Sequence, residues 1–317
     1  ESFKALDYFT DWSLSELKEG VTLEDILSIA DPFYRTLAEQ IYYGTYDDEF
    51  RVCEFKAYPR PERDYEIFRD KPFTMCDNVT GMYVAKANTP QYIYLDEDYG
   101  LEIYVRVIDL PKYSATKNPY GTGPDDHTYD YRIQKGRNVI VPAYRGQMNI
   151  LAFDDENYAN IPEMKAHFVN SGVNGYIDYN KHTPEDVARI FMLASSTEEP
   201  RFDMIGDHFI LNFEKKQYLQ GTFSGNPRMN AQGAFDLMEV YDSVTKIQER
   251  IMGPDKYKAL GRQRGHRNRM LFMGAYGDTF GYSAWYHTGY SSAMSSDVLR
   301  PIKLWNKKTT VWNNNVV

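Results

Sequence analysis

Apolar and polar residues change rhythm along this chain, and each change predicts a different kind of element. Up to Gly44 the spacing is helical: Phe33, Leu37 and Ile41 recur every fourth residue and share one face. Thr22, followed three residues later by Asp25, resembles a capping box ahead of Ile26, Leu27 and Ile29. Asp31-Pro32 supplies an N-cap and a first-turn proline, and Gly44 is placed to close that helix in a left-handed conformation. Two short helices bury too little surface to stand alone, so this lead-in must dock on something else. The stretch from Ala57 to Pro72, with Pro59, Pro61 and Pro72, reads as a linker or irregular crossover.

From Asn78 to Tyr179 the period falls to two. Leu101–Val107 alternates along its length, which predicts a strand with one buried and one solvated face. Met164, Ala166 and Phe168 alternate with Lys165 and His167 in the same way. Further strands are expected at Met82–Val84, Tyr92–Leu95, Tyr129–Ile133, Val139–Val141 and Met148–Phe153, with a turn-rich loop over Lys117–Asp126. Short strands punctuated by Gly, Asn, Asp and Pro predict an antiparallel sandwich. At Thr183 the helical period returns, because Thr183-Pro184-Glu185-Asp186 combines an N-cap, a first-turn proline and an acid at the third position. Phe202–Phe213 reads as a strand pair around Gly206. The longest helix follows, with Phe235, Met238, Tyr241, Val244, Ile247 and Ile251 three or four apart, ended by Gly253-Pro254.

Composition narrows the function. The 317 residues carry 36 basic and 45 acidic side chains, a net charge of -9, which argues against a general nucleic-acid binder because phosphate binding needs a surplus of Lys and Arg. No apolar run approaches the roughly 20 residues that span a bilayer as a helix. Aromatic residues make up 15% of the chain, which excludes a disordered polymer. Tyrosine dominates them, with 27 copies; its apolar ring and polar tip suit either antiparallel sheets or surfaces that stack on a ligand.

Candidate chemistry is sparse. None of the six histidines, His127, His167, His182, His208, His266 and His287, is followed by Glu, and no two are three to five residues apart. A short-spaced zinc site is therefore absent. There is no Gly-x-Ser-x-Gly elbow and no phosphate-cradling Gly-Lys-Ser/Thr loop. Cys53 and Cys76 read as buried free thiols or, failing that, as one disulfide. The acidic run Asp154–Asn157 reads as a solvated turn rather than a calcium loop, since it lacks the alternating Asp spacing. Arg262, Arg264, Arg267 and Arg269 form a basic connector or an anion-binding patch. Tyr282–Tyr290 packs four aromatic rings and a His into nine residues, which suits either a core strand or a stacking surface for sugar or peptide.

Several segments together resemble the enhancin-like, mucin-degrading zinc metallopeptidases, particularly those of gut Bacteroides-type bacteria. They are residues 16–22, Pro32-Phe33-Tyr34, 46–58, 77–84, 135–139, 167–179, 202–206, 241–253 and the Tyr282–Tyr290 run. The resemblance implies an α+β fold in three parts. Residues 1–76 would be short N-terminal helices and a linker, 77–180 an antiparallel β-sandwich accessory domain, and 181–317 the first half of an α/β gluzincin-type peptidase domain. In that family a Trp-containing loop precedes the His-Glu-x-x-His helix. Trp312 stands where that Trp falls, and the zinc helix is not in the chain. The resemblance therefore implies no catalytic residue and no metal or other cofactor here, with zinc expected only in a full-length protein. It implies a non-catalytic portion of a secreted or cell-surface hydrolase whose partners are glycoprotein or glycan substrates such as mucin and the missing C-terminal part of its own domain. Trp285, Tyr286, His287 and Tyr290 would bind substrate on an edge strand. The competing expectation is a carbohydrate- or glycoprotein-binding surface protein without peptidase activity.

Overall fold

Capping fixes where the first helices begin. In the computed structural model, α1 spans Ala5–Tyr8, α2 spans Leu23–Leu27 and α3 spans Pro32–Tyr42. Thr22 and Asp25 close both halves of the expected capping box, and the Asp31 side chain accepts from the Phe33 N–H. Gly44 ends α3 with φ +62°, where a side chain would be strained. The helix buries Leu37 and Ala38, while Phe33 stays 39% exposed against the Tyr34 and Tyr94 rings. The structure describes residues 4–60, 78–109, 127–207, 209–215, 231–252, 268–272, 281–283 and 288–290. The Lys117–Asp126 loop, Cys76, Arg262, Arg264, Arg267, Trp312 and the linker beyond Arg60 lie outside them.

The antiparallel strands form two sheets. They are β1 (Val52–Phe55), β2 (Asn78–Val84), β3 (Gln91–Leu95), β4 (Ile103–Asp109), β5 (His127–Ile133), β6 (Gly136–Ile140), β7 (Gly146–Ala152), β8 (Met164–Phe168) and β9 (Gly172–Val173). The first sheet has the order β1-β8-β3-β6 and the second β5-β4-β7-β2-β9. Alternation works as read: Ile103, Val105 and Val107 of β4 point into one core with Met148 and Ile150 of β7, and meet Ile93, Ala166 and Phe168 of the first sheet there. A fully buried aliphatic or aromatic side chain of this kind contributes about 1.5–3 kcal/mol.

The other face of the first sheet departs from the expectation. His167 is not solvated but fully buried, because α1–α3 lie across that face. Phe9, Leu14, Ile26, Leu37 and Tyr94 form the second core between them. β1 was not assigned from the sequence. It pairs with β8 and ties the helical lead-in to the sheet.

A third, mixed sheet follows: β10 (Ile177–Asp178), β11 (Arg201–Ile205), β12 (Phe209–Glu214), β13 (Asn268–Phe272), β14 (Gly281–Ser283) and β15 (Thr288–Tyr290), in the order β10-β11-β12-β13-β15-β14. β11 and β12 are the expected hairpin around Gly206. Two helices pack on this part, α4 (Pro184–Ser196) and α5 (Ala231–Met252). Thr183 and Asp186 form the predicted capping box of α4, whose Val187, Ile190, Phe191 and Ala194 are buried at helical spacing. Helix α5 is described as far as Met252, and Gly253-Pro254 lie outside the described residues. Its stripe sinks at Met238 and Tyr241 but emerges at Ile247 and Ile251, which are 58% and 75% exposed.

Candidate functional site

The second and third sheets meet through polar side chains. Met148 and Ile150 of β7 face the core, so by alternation Gln147 faces the other way, toward β11 and β12. Its Nε2 donates to Asp203 Oδ2 at 2.8 Å, and its Oε1 accepts from Asn212 Nδ2 at 2.7 Å. Asn212 also donates to Asp203 Oδ1 at 2.8 Å and accepts from Arg201 Nε. Arg201 Nη2 reaches the Asn212 carbonyl at 3.1 Å. All four side chains are buried, and each bond satisfies a group that would otherwise be costly to hide.

A second polar cluster lies beside it. Lys215 Nζ donates to Asn174 Oδ1, to the Thr197 carbonyl and hydroxyl, and to the Ala194 carbonyl at the end of α4. Burial pulls its ammonium down to about 8 against the opposing pull of Glu199. Burial likewise pushes the Glu199 carboxyl up to about 7, although the Arg201 N–H and the charges of Arg201 and Lys215 favour its ionised form. These residues give the junction fixed charge but line no described opening. Sequence reading missed them because Asp203 and Asn212 alternate with apolar neighbours and so look like the wet side of strands.

The mixed sheet carries the segment expected to meet substrate. β15 is internal: Tyr290 pairs with Phe272 of β13 and with Gly281 of β14. The expectation that the 285–290 strand forms the edge is therefore corrected. Among the described residues β14 ends the sheet, because the chain turns back antiparallel before β15 joins β13 in parallel. Trp285, Tyr286 and His287 lie outside the described residues, between β14 and β15. Tyr290 is placed by its backbone in β15.

The other candidates have structural roles. His167 Nδ1 lies 2.8 Å from the Ser13 carbonyl, which can only accept. Nδ1 therefore carries the proton, and Nε2 accepts from the Tyr46 hydroxyl at 2.5 Å. Burial lowers this imidazole to about 4. His182 Nδ1 accepts the Asp178 N–H. Cys53 is a free, buried thiol held up at about 12 by desolvation. Asp154–Asn157 is a turn in which Asp154 Oδ1 accepts from the N–H groups of Glu156 and Asn157. Among the described residues no group of three or more His, Cys, Asp or Glu side chains is placed to hold a metal ion. The described residues thus do not fit a zinc centre.

No protein-family model and no curated protein matches the sequence. Solved structures do. A metallopeptidase from Bacteroides thetaiotaomicron aligns with a TM-score of 0.77 at 21% identity, over 96% of this chain and 49% of its own. The structure of the CBM32-1, CBM32-2 and M60 catalytic domains of Clostridium perfringens ZmpB aligns at 0.70 with 13% identity, over 94% of this chain and 33% of its own. A metallopeptidase in complex with Tn antigen aligns at 0.66 with 19% identity, over 81% and 44%. The chain has the fold of M60-like metallopeptidases, the enhancin-like architecture that its sequence resembles. It spans about half the length of the first of these structures.

Proposed function

We propose that this chain is the substrate-facing, non-catalytic part of a secreted or surface-anchored zinc metallopeptidase acting on mucin-like O-glycosylated proteins. The observation that carries the proposal is the fold shared with metallopeptidases over nearly the whole chain; His167 and His182 are engaged in structural hydrogen bonds. Two of the similar structures are complexes with the Tn and sialyl T antigens, which supports a glycan-bearing substrate. In this reading β14, the last strand of the sheet among the described residues, offers its outer side to an extended peptide, main chain to main chain. Trp285, Tyr286, His287 and Tyr290 lie in and after the connection that follows it and meet the attached sugars. Zinc belongs to residues other than those described.

The test is a titration of the purified chain with an O-glycosylated mucin peptide, with and without a chelator. Binding without cleavage, unchanged by the chelator and lost in the Trp285→Ala/Tyr290→Ala double variant, is the expected result. Cleavage that the chelator abolishes overturns the non-catalytic reading. Undiminished binding by the double variant overturns the assigned residues.

The competing reading, a carbohydrate- or glycoprotein-binding surface protein without peptidase activity, is favoured by one specific observation. A cleft whose lining includes Tyr104 and Phe153 lies at the end of the second sheet.

A further inference from the structure

The cleft encloses about 460 Å³ at the end of the second sheet where β4 begins and β7 ends. That volume falls within the ~300–1,000 Å³ of small-molecule sites. Its walls are preformed. The chain at Tyr58 is stitched to β7 by Tyr58 N–H to the Ala152 carbonyl and Asp154 N–H to the Tyr58 carbonyl, each 2.9 Å. Arg60 then grips Asp155 twice, through its own N–H at 2.7 Å and through Nη1 at 2.8 Å. Its lining is mixed: Leu101, Tyr104 and Phe153 contribute apolar surface, and Asp154, Glu156 and Asn157 contribute polar groups.

The chemistry selects a ligand class. Four carboxylates, those of Glu102, Asp154, Asp155 and Glu156, line the cleft beside the Arg60 guanidinium; Asp155 neutralises Arg60 and Arg132 pairs with Glu102 at 3.7 Å, which leaves the charges of Asp154 and Glu156 in excess. An anionic ligand would meet net repulsion. Calcium would need six to eight oxygens, yet Asp155 is spent on Arg60 and one oxygen of Asp154 on two backbone N–H groups. A neutral pyranose suits both kinds of lining. Its C–H face packs on aromatic rings, and its hydroxyls donate to carboxylates, the stronger kind of hydrogen bond. We propose that this cleft is a binding site for a neutral saccharide, separate from the β14 edge. Tyr104 supplies the stacking surface, Asp154 and Glu156 accept from hydroxyls, and Asn157 both donates and accepts. The inference rests on the glycan-facing reading only for the sugars chosen to test it.

The experiment is an amide-resolved NMR titration of the full chain with methyl α-N-acetylgalactosaminide, methyl β-galactoside and methyl α-mannoside, and separately with calcium chloride. At least one glycoside is expected to shift the amides of residues 100–104 and 153–157 saturably. Tyr104→Ala and Glu156→Gln should each weaken it about tenfold or more, the equivalent of one charge-assisted contact. Glu156 is exposed on a turn, so its variant tests the site even if Tyr104→Ala perturbs folding. Three results overturn the proposal: no glycoside shifts these segments, the variants bind undiminished, or calcium alone reproduces the shifts. Shifts that a mucin glycopeptide induces at residues 281–283 report on the β14 reading independently. They should persist in Glu156→Gln, so either reading can fail without the other.

Discussion

Replacing Asn212 with leucine removes the centre of the junction between the second and third sheets while keeping a side chain that branches at the same carbon. The side chain is fully buried and makes three bonds: to Gln147 Oε1, to Asp203 Oδ1 and from Arg201 Nε. Two of these involve charged partners, worth about 1.5–3 kcal/mol each, and the neutral one about 1. Asp203 keeps Gln147 Nε2, and Arg201 keeps the residue-212 carbonyl, so neither charge is wholly stranded. Leucine also returns some hydrophobic stabilisation. The net loss should be roughly 3 kcal/mol, a large share of the ~5–15 that domains possess. Urea unfolding followed by both circular dichroism and tryptophan fluorescence measures it, and coincident transitions justify a single free energy. Adding Gln147→Leu should cost less than its separate effect, because the two residues share a bond. A loss under about 1 kcal/mol, or strict additivity with Gln147→Leu, would refute the claim that this network fastens the sheets.

Glu199 sets an alkaline limit. Its folded carboxyl lies near 7, above an ordinary glutamate, so its contribution is greatest below about 4.5 and declines as pH rises through 7. Glu199→Gln should flatten stability across that window, by an amount on the order of a few kcal/mol, in melts taken from pH 5 to pH 8. His167 sets the acid limit with the opposite sign. Its folded imidazole lies near 4, so stability present above 6.5 is lost as pH falls toward 4, and His167→Gln should remove that loss from acid-unfolding curves. Gly81 has φ +71°, and a methyl there would stand 3.0 Å from the Gly175 backbone. Gly81→Ala should therefore cost more than ~1–2 kcal/mol by thermal denaturation, and a neutral result would show that the two segments move apart freely.

Local signals were legible wherever one residue type fixes one geometry. Thr22, Asp31 and Thr183 mark helix starts because a side-chain oxygen there satisfies a backbone donor, whatever the rest of the fold does. The alternation of Ile103, Val105 and Val107 survived for the same reason, since one face of β4 has a single core to meet. What failed depended on distant neighbours. His167 looks solvent-facing until α1–α3 lie across it, and Asp203 and Asn212 look exposed until Gln147 arrives from β7. The order β13-β15-β14 rests on a parallel pairing closed over a crossover, which no strand pattern encodes. The aromatic density of residues 282–290 was visible, but the pattern did not show which strand of that hairpin ends the sheet.

Between β9 in the second sheet and β10 in the third stand only Asn174, Gly175 and Tyr176. A Cβ at Gly175 would stand 3.2 Å from Phe50 and 3.3 Å from Ile190, and Asn174 is bonded to Arg201, Thr197 and Lys215. A swivel needs slack chain, and here there is none. Tension applied to one sheet would pass to the other along this short covalent strut, with the Gln147–Asp203–Asn212 bonds running beside it as a brace. A ligand held on the second sheet and a peptide lying along β14 would therefore keep a near-constant separation, as two marks on a ruler do.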